Sequence, residues 1–416
     1  MKKAILAAAA VFVFGSCANQ LNNGALLLKD GIWHASIWRP DGQPIVFNFE
    51  VSDSARHKVL YILNASDRMR VDSVRRHGDT IFIHMPFFNS DFWGHFQNDG
   101  SLKGFWVRHL PGKDLAMPFT ARPDAPYRFS PHPRKALFNV SGRWATTFYD
   151  HGDTSTAVGE FHQQGNQVAG TFLTISGDDR FLQGVVDGDT LKLSTFDGSH
   201  AYVFTAPLTN DSLIEGGQFY AGYQGHETWV ARKDSSARLP NAFGLTSFRP
   251  GENTLHFAFP DLNGDTVSLS DPAYRGKVVI VQIMGSWCPN CMDETRFLSN
   301  WYRANHSRGV EIIGLCYERT TDFKQSVASV MTFKNQFHVG YKLLITGVTA
   351  TDPAMLQKTL PEIQHFVGFP TTIFIGKDGR IQKIHAGFSG PGTGEHYVKF
   401  KQEFNDVVDS LLQEKA

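Results

Sequence analysis

The feature that most constrains the fold is a buried strand that leads directly into a pair of cysteines. Residues 278–284 form an almost unbroken apolar run, which is typical of a central strand covered on both faces. A Gly-Ser turn follows, and the motif Trp-Cys-Pro-Asn-Cys at 287–291 begins a predicted helix that ends near Arg308. From residue 251 onward the pattern alternates strands with helices, which predicts βα units around a mostly parallel sheet.

The rest of the C-terminal part continues this alternation. A helix is predicted over 323–337, capped by Thr321 or Asp322, and the last helix has one apolar face that should pack on the sheet. Residues 372–375 and 381–386 are predicted to pair as a hairpin. We interpret the glycine-rich stretch 390–394 as a flexible lead into the last helix, because it lacks the lysine of a phosphate-binding loop. Further strands are predicted at 311–316 and 342–345, and a helical stretch at 354–359.

A Cys-x-x-Cys motif at a strand-to-helix junction is suited to thiol chemistry, because its two cysteines can take different roles. Cys288 lies at the helix N-terminus, where free N–H groups and the helix dipole favour its thiolate, so it is the predicted nucleophile. Cys291 lies nearly one turn later and can resolve a mixed disulfide formed at the first sulfur. Pro289 suits the first helical turn, and Asn290 is expected to add a polar group beside the sulfurs. A zinc half-site lacks a second cysteine pair, and a structural disulfide would close a very short loop, so both alternatives are less favoured.

Several motifs together resemble the TlpA- or ResA-type branch of the thioredoxin superfamily, over residues 255–416, or about two-fifths of the chain. They are the entry segment Phe259-Pro260-Asp261-Leu262-Asn263-Gly264, the cysteine motif with Trp287 in front, Glu294, and the loop Gly368-Phe369-Pro370-Thr371-Thr372. The resemblance implies a thioredoxin fold and thiol-disulfide exchange through the cysteine pair, without a cofactor. It also implies that Glu294 takes part in proton transfer and that Pro370 is cis and lies against the disulfide.

The positions of these supporting residues also make physical sense. Glu294 lies one helical turn from Cys291 and can exchange a proton with it, with a solvated surface carboxylate as the alternative. Pro370 lacks an N–H and precedes a strand, which would leave the backbone before it free to pair with a substrate peptide; a simple turn proline is the alternative. Cys316 falls inside an apolar strand and is interpreted as a buried, inert core residue.

The N-terminus has the pattern of a secretory signal. Lys2-Lys3 precede an apolar run over 4–14, and Gly15-Ser16 lead into Cys17, an arrangement that resembles a lipobox. We expect a lipoprotein signal peptide at 1–16, lipidation of Cys17 and a tether over 17–30, which would hold the chain in the cell envelope, facing the periplasm. An ordinary signal with an incidental cysteine is the alternative.

The region between the tether and the cysteine-containing part alternates β-type segments with turn signals, and it repeats weakly at an offset of about 110 residues. Gly31-Ile32-Trp33 recurs as Gly142-Arg143-Trp144. The predicted units are β repeat 1 at 31–122, a proline-rich linker at 123–140, β repeat 2 at 141–233, a second linker at 234–250 and the thioredoxin-like domain at 251–416. The repeats are expected to form two small sandwiches or barrels, or to close together into one larger barrel.

The repeats offer no predicted catalytic or metal site, because their histidines are scattered without metal-ligand spacing. Aromatic pairs such as Phe87-Phe88 and Phe105-Trp106 are interpreted as core residues. A surface that binds a polypeptide or a glycan is the alternative use of these rings.

The leading hypothesis is a membrane-anchored periplasmic thiol-disulfide oxidoreductase, with reduction of protein disulfides as the favoured direction. By the resemblance, its partners would be disulfide-bearing client proteins and a membrane thiol-electron donor. Lys plus Arg and Asp plus Glu number 40 each, so the composition gives no electrostatic basis for binding nucleic acid. The alternatives are a surface binding lipoprotein whose repeats capture a polypeptide or glycan, and a peroxiredoxin-like peroxidase.

Overall fold

The computed structural model describes residues 28–54 and 57–414, and three folded units follow one another along this part of the chain. The predicted signal peptide, Cys17 and most of the predicted tether lie outside the described residues. Within the described ranges, no helix combines the length and the apolar character that crossing a bilayer requires.

The first unit, barrel 1, is a curved antiparallel sheet of nine strands in the order β4-β3-β2-β1-β9-β8-β7-β6-β5. Side chains alternate between its two faces: Ile81 and Ile83 are buried, whereas Phe82 between them is 48% exposed. The strands are β1 Gly31–Trp38, β2 Pro44–Ser54, β3 His57–Asn64, β4 Asp67–Val71, β5 Ser73–His77, β6 Thr80–His84, β7 Ser90–Phe96, β8 Leu102–Leu110 and β9 Lys113–Arg122.

The second unit, barrel 2, also consists of nine antiparallel strands, and it closes on itself because β11 pairs with both β10 and β12. Its ring of hydrogen-bonded neighbours therefore has no open edge between the first and last strands. The strands are β10 Gly142–Asp150, β11 Asp153–Gln164, β12 Gln167–Thr174, β13 Gly177–Asp178, β14 Leu182–Asp187, β15 Thr190–Phe196, β16 Ala201–Pro207, β17 Leu213–Ala221 and β18 Gly225–Lys233.

The two barrels are structural repeats of each other. In each, the first strand pairs with the last, β1 with β9 and β10 with β18. Trp33 and Trp144 occupy equivalent buried places, and each indole N–H donates a hydrogen bond of 2.8 Å to the carbonyl four residues earlier, at Lys29 and Val140. The prediction of two β units ahead of a different C-terminal domain is confirmed, and the alternative of a single larger barrel is wrong.

The proline-rich segment between the barrels is docked against both of them. Arg128 is buried there and donates hydrogen bonds to Asn64 of barrel 1 (2.9 Å) and to the hydroxyl of Ser194 in barrel 2 (2.8 Å). Burial lowers the pKa of Arg128 to about 9. The segment thus fixes the two barrels to each other through a buried guanidinium.

The third unit, the C-terminal domain, is built on a five-stranded sheet in the order β24-β23-β22-β26-β27. The expected mostly parallel sheet is a mixed one. β22, β23 and β24 pair in parallel, whereas β26 pairs antiparallel with β22 on one side and, through a tight hairpin, with β27 on the other. The elements are β19 Ser247–Phe248, β20 Ala258–Pro260, β21 Thr266–Ser268, β22 Val278–Met284, α1 Pro289–Asn305, β23 Val310–Cys316, α2 Phe323–Phe337, β24 Lys342–Ile345, α3 Met355–Thr359, β25 Ile363–Gln364, β26 Thr371–Ile375, β27 Ile381–Ala386 and α4 Glu395–Gln413.

Local sequence signals account for most of these elements. The Asp322 carboxylate caps α2 by accepting the N–H of Gln325 at 2.8 Å. The predicted apolar face of α4 is buried. The stretch 390–394, expected to be a flexible lead, is instead a short 3-10 turn over Pro391–Thr393 that lies against the backbone of Arg180 in barrel 2. Tertiary contact orders this stretch, and its sequence carried no sign of that partner.

Candidate active site

The cysteine pair lies at the junction of β22 and α1. Cys288 is the N-cap residue of α1, and its sulfur accepts the N–H of Cys291 at 3.2 Å. Cys288 is only 5% exposed, Cys291 is completely buried, and both are free thiols. The N-terminus of α1 therefore directs a backbone N–H at the first sulfur.

Glu294 lies one turn further along α1 and is fully buried, so the alternative of a solvated carboxylate is wrong. One carboxylate oxygen accepts a hydrogen bond from the side-chain amide of Gln282 and the other accepts one from the hydroxyl of Thr372, each at 2.7 Å. Burial nevertheless raises the pKa of Glu294 to about 7. Burial also raises the pKa of the Cys291 thiol well above its usual range, with further contributions from Cys288 and from the charge of Glu294.

The proline loop closes the site from the opposite strand. The Phe369–Pro370 peptide bond is cis, as the family resemblance implies. The Cys288 thiol lies 3.8 Å from the carbonyl oxygen of Phe369, to which it donates a weak hydrogen bond. The backbone just before Pro370 therefore faces the first sulfur.

The side chain of Trp287, the residue before Cys288, is held in place by several contacts. Its indole N–H donates to the carbonyl of Tyr317 at 2.8 Å, and its ring packs edge-on against Phe369 with 5.4 Å between the ring centres. The turn before it is held by Glu318, whose carboxylate accepts both the N–H and the hydroxyl of Ser286 at 2.9 and 2.6 Å. The tryptophan is thus fixed from two sides.

The sequence led us to expect the polar group of Asn290 beside the sulfurs, but in the structure its side chain points away from them. Its amide reaches into barrel 2, where it donates to the carbonyl of Asp178 at 3.2 Å. Gly177 packs so closely on Asn290 that a side-chain carbon at Gly177 would overlap the asparagine amide. Barrel 2 therefore covers the start of α1 directly.

A buried ion-pair network, which sequence reasoning missed, joins barrel 2 to α1. Arg180 donates to the carboxylate of Asp293 at 2.8 Å and to that of Asp197 at 2.8 Å, and all three side chains are buried. The only signal in the sequence is the charged run Asp178-Asp179-Arg180 in a sparsely charged β region, and this run gives no indication of its partner. Breaking a buried pair of this kind costs about 3–5 kcal/mol, so the network holds the two units together.

The structure brings together most of the residues predicted for the site. Cys288 contacts Cys291 and the Phe369 carbonyl just before Pro370, and Glu294 lies close enough to Cys291 to raise its pKa. Trp287 directly precedes this pair and packs on Phe369. Cys316 is buried in β23, as interpreted from its apolar strand. Cys17 lies outside the described residues.

A methyl group at Gly177 is expected to separate barrel 2 from α1. Because Gly177→Ala would overlap Asn290, we expect a loss of about 1–3 kcal/mol in the free energy of unfolding, measured by urea denaturation. The same substitution combined with Asn290→Ala should cost less, since the overlapping amide is gone. Gly244→Ala, whose new methyl meets open space, is the control. Equal losses in both backgrounds would contradict the proposed contact.

Comparison with known proteins agrees with this site. The Redoxin family model matches residues 248–398. The thiol-disulfide oxidoreductase ResA of Bacillus subtilis (strain 168) is 27% identical over 144 residues, which cover 35% of this chain and 71% of that protein. ResA of Halalkalibacterium halodurans is 26% identical over 161 residues, which cover 38% of this chain and 77% of that protein.

Solved structures also match the C-terminal part of the chain. A thioredoxin family thiol:disulfide interchange protein from Chlorobium tepidum TLS has 19% identity and a TM-score of 0.30, covering 40% of this chain and 99% of that one. A thiol-disulfide oxidoreductase from Bacteroides fragilis NCTC 9343 has 14% identity and a TM-score of 0.29, covering 37% and 99%.

The fold, the cysteine pair and the family match define the C-terminal domain as a member of the thioredoxin superfamily. Its chemistry is the exchange of thiols and disulfides. More narrowly, the domain is similar to the thiol-disulfide oxidoreductases named ResA, at 26–27% identity. The two barrels precede it as additional units.

Proposed function

We propose that this chain is a lipid-anchored, periplasm-facing reductase of protein disulfides that acts through Cys288 and Cys291. The observation that carries the proposal is the arrangement of the two thiols: the first accepts a helix N–H and keeps 5% of its surface exposed, and the second is fully buried. An attacking thiol has to be accessible as a thiolate, whereas a resolving thiol has to be protected until a mixed disulfide forms.

The exchange proceeds in two steps. The Cys288 thiolate attacks one sulfur of a client disulfide, forms a mixed disulfide with it and releases the other client sulfur as a thiolate. Cys291 then loses its proton and attacks the sulfur of Cys288, which forms the Cys288–Cys291 disulfide and releases the second client thiolate. Two electrons pass from the enzyme dithiol to the client, and each released thiolate takes up a proton.

Glu294 acts as the proton acceptor for the second step. Its pKa of about 7 places it near its half-protonated state at neutral pH, where a group is best suited to take up and return a proton. Deprotonation of Cys291 needs such a base, because burial holds the pKa of this thiol high. The carboxylate is oriented by Gln282 and Thr372.

The location and the partners are inferred from the sequence. The signal pattern at 1–16 and Cys17 support lipidation, with the tether 17–30 between the acyl chains and barrel 1. After each turnover the Cys288–Cys291 disulfide has to be reduced, and we assign this step to a thiol donor in the membrane. The clients are disulfide-bearing proteins of the same compartment.

The redox potential of the cysteine pair tests the direction of the reaction. We expect a value more negative than about −200 mV, in the range of reductants, measured by equilibration with glutathione buffers. Cys316→Ala is the matched control, because this cysteine is buried away from the pair and its loss should leave the potential unchanged. A potential near about −120 mV, in the range of strong oxidants, would rule out the reductase.

A further inference from the structure

A pocket of about 480 Å³ opens beside the cysteine motif, between barrel 1 and the C-terminal domain. Barrel 1 contributes Phe87, Phe88 and His109, and the C-terminal domain contributes Trp287, Arg319 and Phe333. Pockets that bind ligands range from about 300 to 1,000 Å³, so this one has room for a few side chains of an extended polypeptide.

The walls of the pocket are aromatic and firmly held. Phe87 is stacked on Phe337 of α2, with ring centres 5.2 Å apart and an angle of 7° between the planes. Phe88 adopts a left-handed backbone conformation with φ of 69°, which a bulky residue accepts only where its surroundings impose it. Barrel 1 is therefore docked so as to present aromatic rings next to Trp287.

Arg319 lies in this pocket without an anion. Its guanidinium covers the ring of Trp287 at 5.3 Å, and among the described residues it has no hydrogen-bond acceptor and no ion-pair partner. The neighbouring Glu318 directs its two oxygens at Ser286, and no hydrogen bond or ion pair joins it to Arg319. The N–H groups of Arg319 are therefore available to an acceptor that enters the pocket.

Arg319 is close to the like charge of Arg108 and also to the carboxylate of Glu318. Burial, followed by the like charge of Arg108, lowers the pKa of Arg319 to about 10, which leaves the group charged at neutral pH. At the pocket rim burial opposes the charging of His109, but its contacts with Asp91 and Asp114 raise its pKa overall. A carboxylate is the complementary group for this surface.

We propose that this pocket is a client subsite, which binds an extended polypeptide segment that carries an apolar side chain and an acidic residue beside the cysteine under attack. The apolar side chain packs among Phe87, Phe88 and Phe333, and the acidic carboxylate receives the guanidinium of Arg319. This inference deepens the proposed function and rests on it, since it names the class of client. It also assigns barrel 1 a part in selecting substrates.

Binding can be measured apart from the chemistry, in the full chain with Cys288→Ser. Two labelled peptides are compared, each with a Phe and a disulfide, and they differ only in Glu or Gln beside the cysteine. We expect the Glu peptide to bind about tenfold more tightly by fluorescence anisotropy, the difference that one charge-assisted hydrogen bond supports.

In the Cys288→Ser chain, Arg319→Gln should bring the ratio of the two dissociation constants, Gln peptide over Glu peptide, close to one. Arg319→Lys should leave an intermediate ratio. Arg303→Gln, at an exposed position of α1, should leave the ratio unchanged. Phe88→Ala should weaken both peptides, whereas Phe82→Ala on the outer face of barrel 1 should weaken neither.

Equal affinity of the two peptides, or a ratio that survives Arg319→Gln, would overturn the subsite. Reduction of the same peptides by the unaltered chain is measured separately. If the affinities differ as expected but neither peptide is reduced, the subsite stands and the proposed reductase function fails.

Discussion

Replacing Cys291 with serine is expected to stop repeated turnover and to leave clients attached to Cys288 as long-lived mixed disulfides. The first step needs only Cys288, whose sulfur sits at the start of α1 with the Phe369 carbonyl beside it. The second step needs a thiol beneath that sulfur, and a serine hydroxyl cannot form a disulfide. With the cis-proline loop and Trp287 packed around the site, external thiols reach the mixed disulfide slowly.

The measurement is the capture of clients on Cys291→Ser in cells, followed by release with a reductant and identification of what is released. Turnover of a disulfide substrate should fall by about a thousandfold or more, since covalent catalysis is interrupted after one half-reaction. Cys288→Ser in the same background should capture nothing, and Cys316→Ala should behave as the unaltered chain. An empty trap in Cys291→Ser would refute thiol-disulfide exchange through this pair.

The C-terminal domain could be predicted from the sequence because its signals are local. The apolar run of β22, the Cys-x-x-Cys motif and the Asp322 cap each lie within a few residues of the element that they specify. Glu294 lies on the same helix as Cys291, so its proximity follows from helical spacing. Pro370 precedes β26, and only the fold brings its loop to the cysteines. For both residues the family resemblance indicated the role. The role of each of these two residues stays a prediction until it is tested.

The surroundings of the site could not be predicted, because they depend on how three units dock. Arg180 and Asp293 are 113 residues apart in the chain, and no sequence pattern pairs an arginine between two strands with an aspartate in a helix. The same holds for Asn290, which was expected to face the sulfurs and instead bonds to Asp178. Charged residues in sparsely charged β regions are a weak signal of contacts between units, and only the folded structure shows which residue is the partner.

Because both barrels dock on the C-terminal domain, each of them contributes residues next to the cysteine pair. Barrel 2 covers the start of α1 through Gly177 and Arg180, and barrel 1 supplies one wall of the pocket beside Trp287. Cys288 is left with 5% of its surface exposed, and both barrels lie against the segment that carries it. In the proposed function, barrel 1 therefore takes part in selecting clients, and the C-terminal domain supplies the chemistry.

Replacing Glu294 with glutamine is expected to lower activity while raising stability. The activity should fall by about a hundredfold at pH 7, since the proton acceptor for Cys291 is lost, and general acid-base catalysis contributes about 10²–10⁴-fold. Glutamine has nearly the same shape as glutamate, so the substitution should leave the packing around position 294 unchanged. Gln282 can still donate to the new amide oxygen, and the Thr372 hydroxyl can turn to accept from the new amide nitrogen.

The gain in stability follows from the raised pKa of Glu294. The carboxyl titrates near 4.5 in an unfolded chain and at about 7 in the folded one, so the folded state holds its proton more tightly. The free energy of unfolding therefore falls as the pH rises between these two values, and it stays lower above them. The full effect is about 3 kcal/mol at one pKa unit per 1.36 kcal/mol.

Glu294→Gln removes this titration, so its stability should match that of the unaltered chain near pH 4 and exceed it by up to about 3 kcal/mol at pH 8. Urea denaturation at the two pH values measures the difference, and Glu215→Gln, at an exposed position of β17, is the control that should change neither stability nor activity. Parallel stability profiles would show that the carboxyl is not held protonated by burial. A variant that is more stable and less active means that the chain retains a buried, destabilising carboxyl because the resolving step requires it.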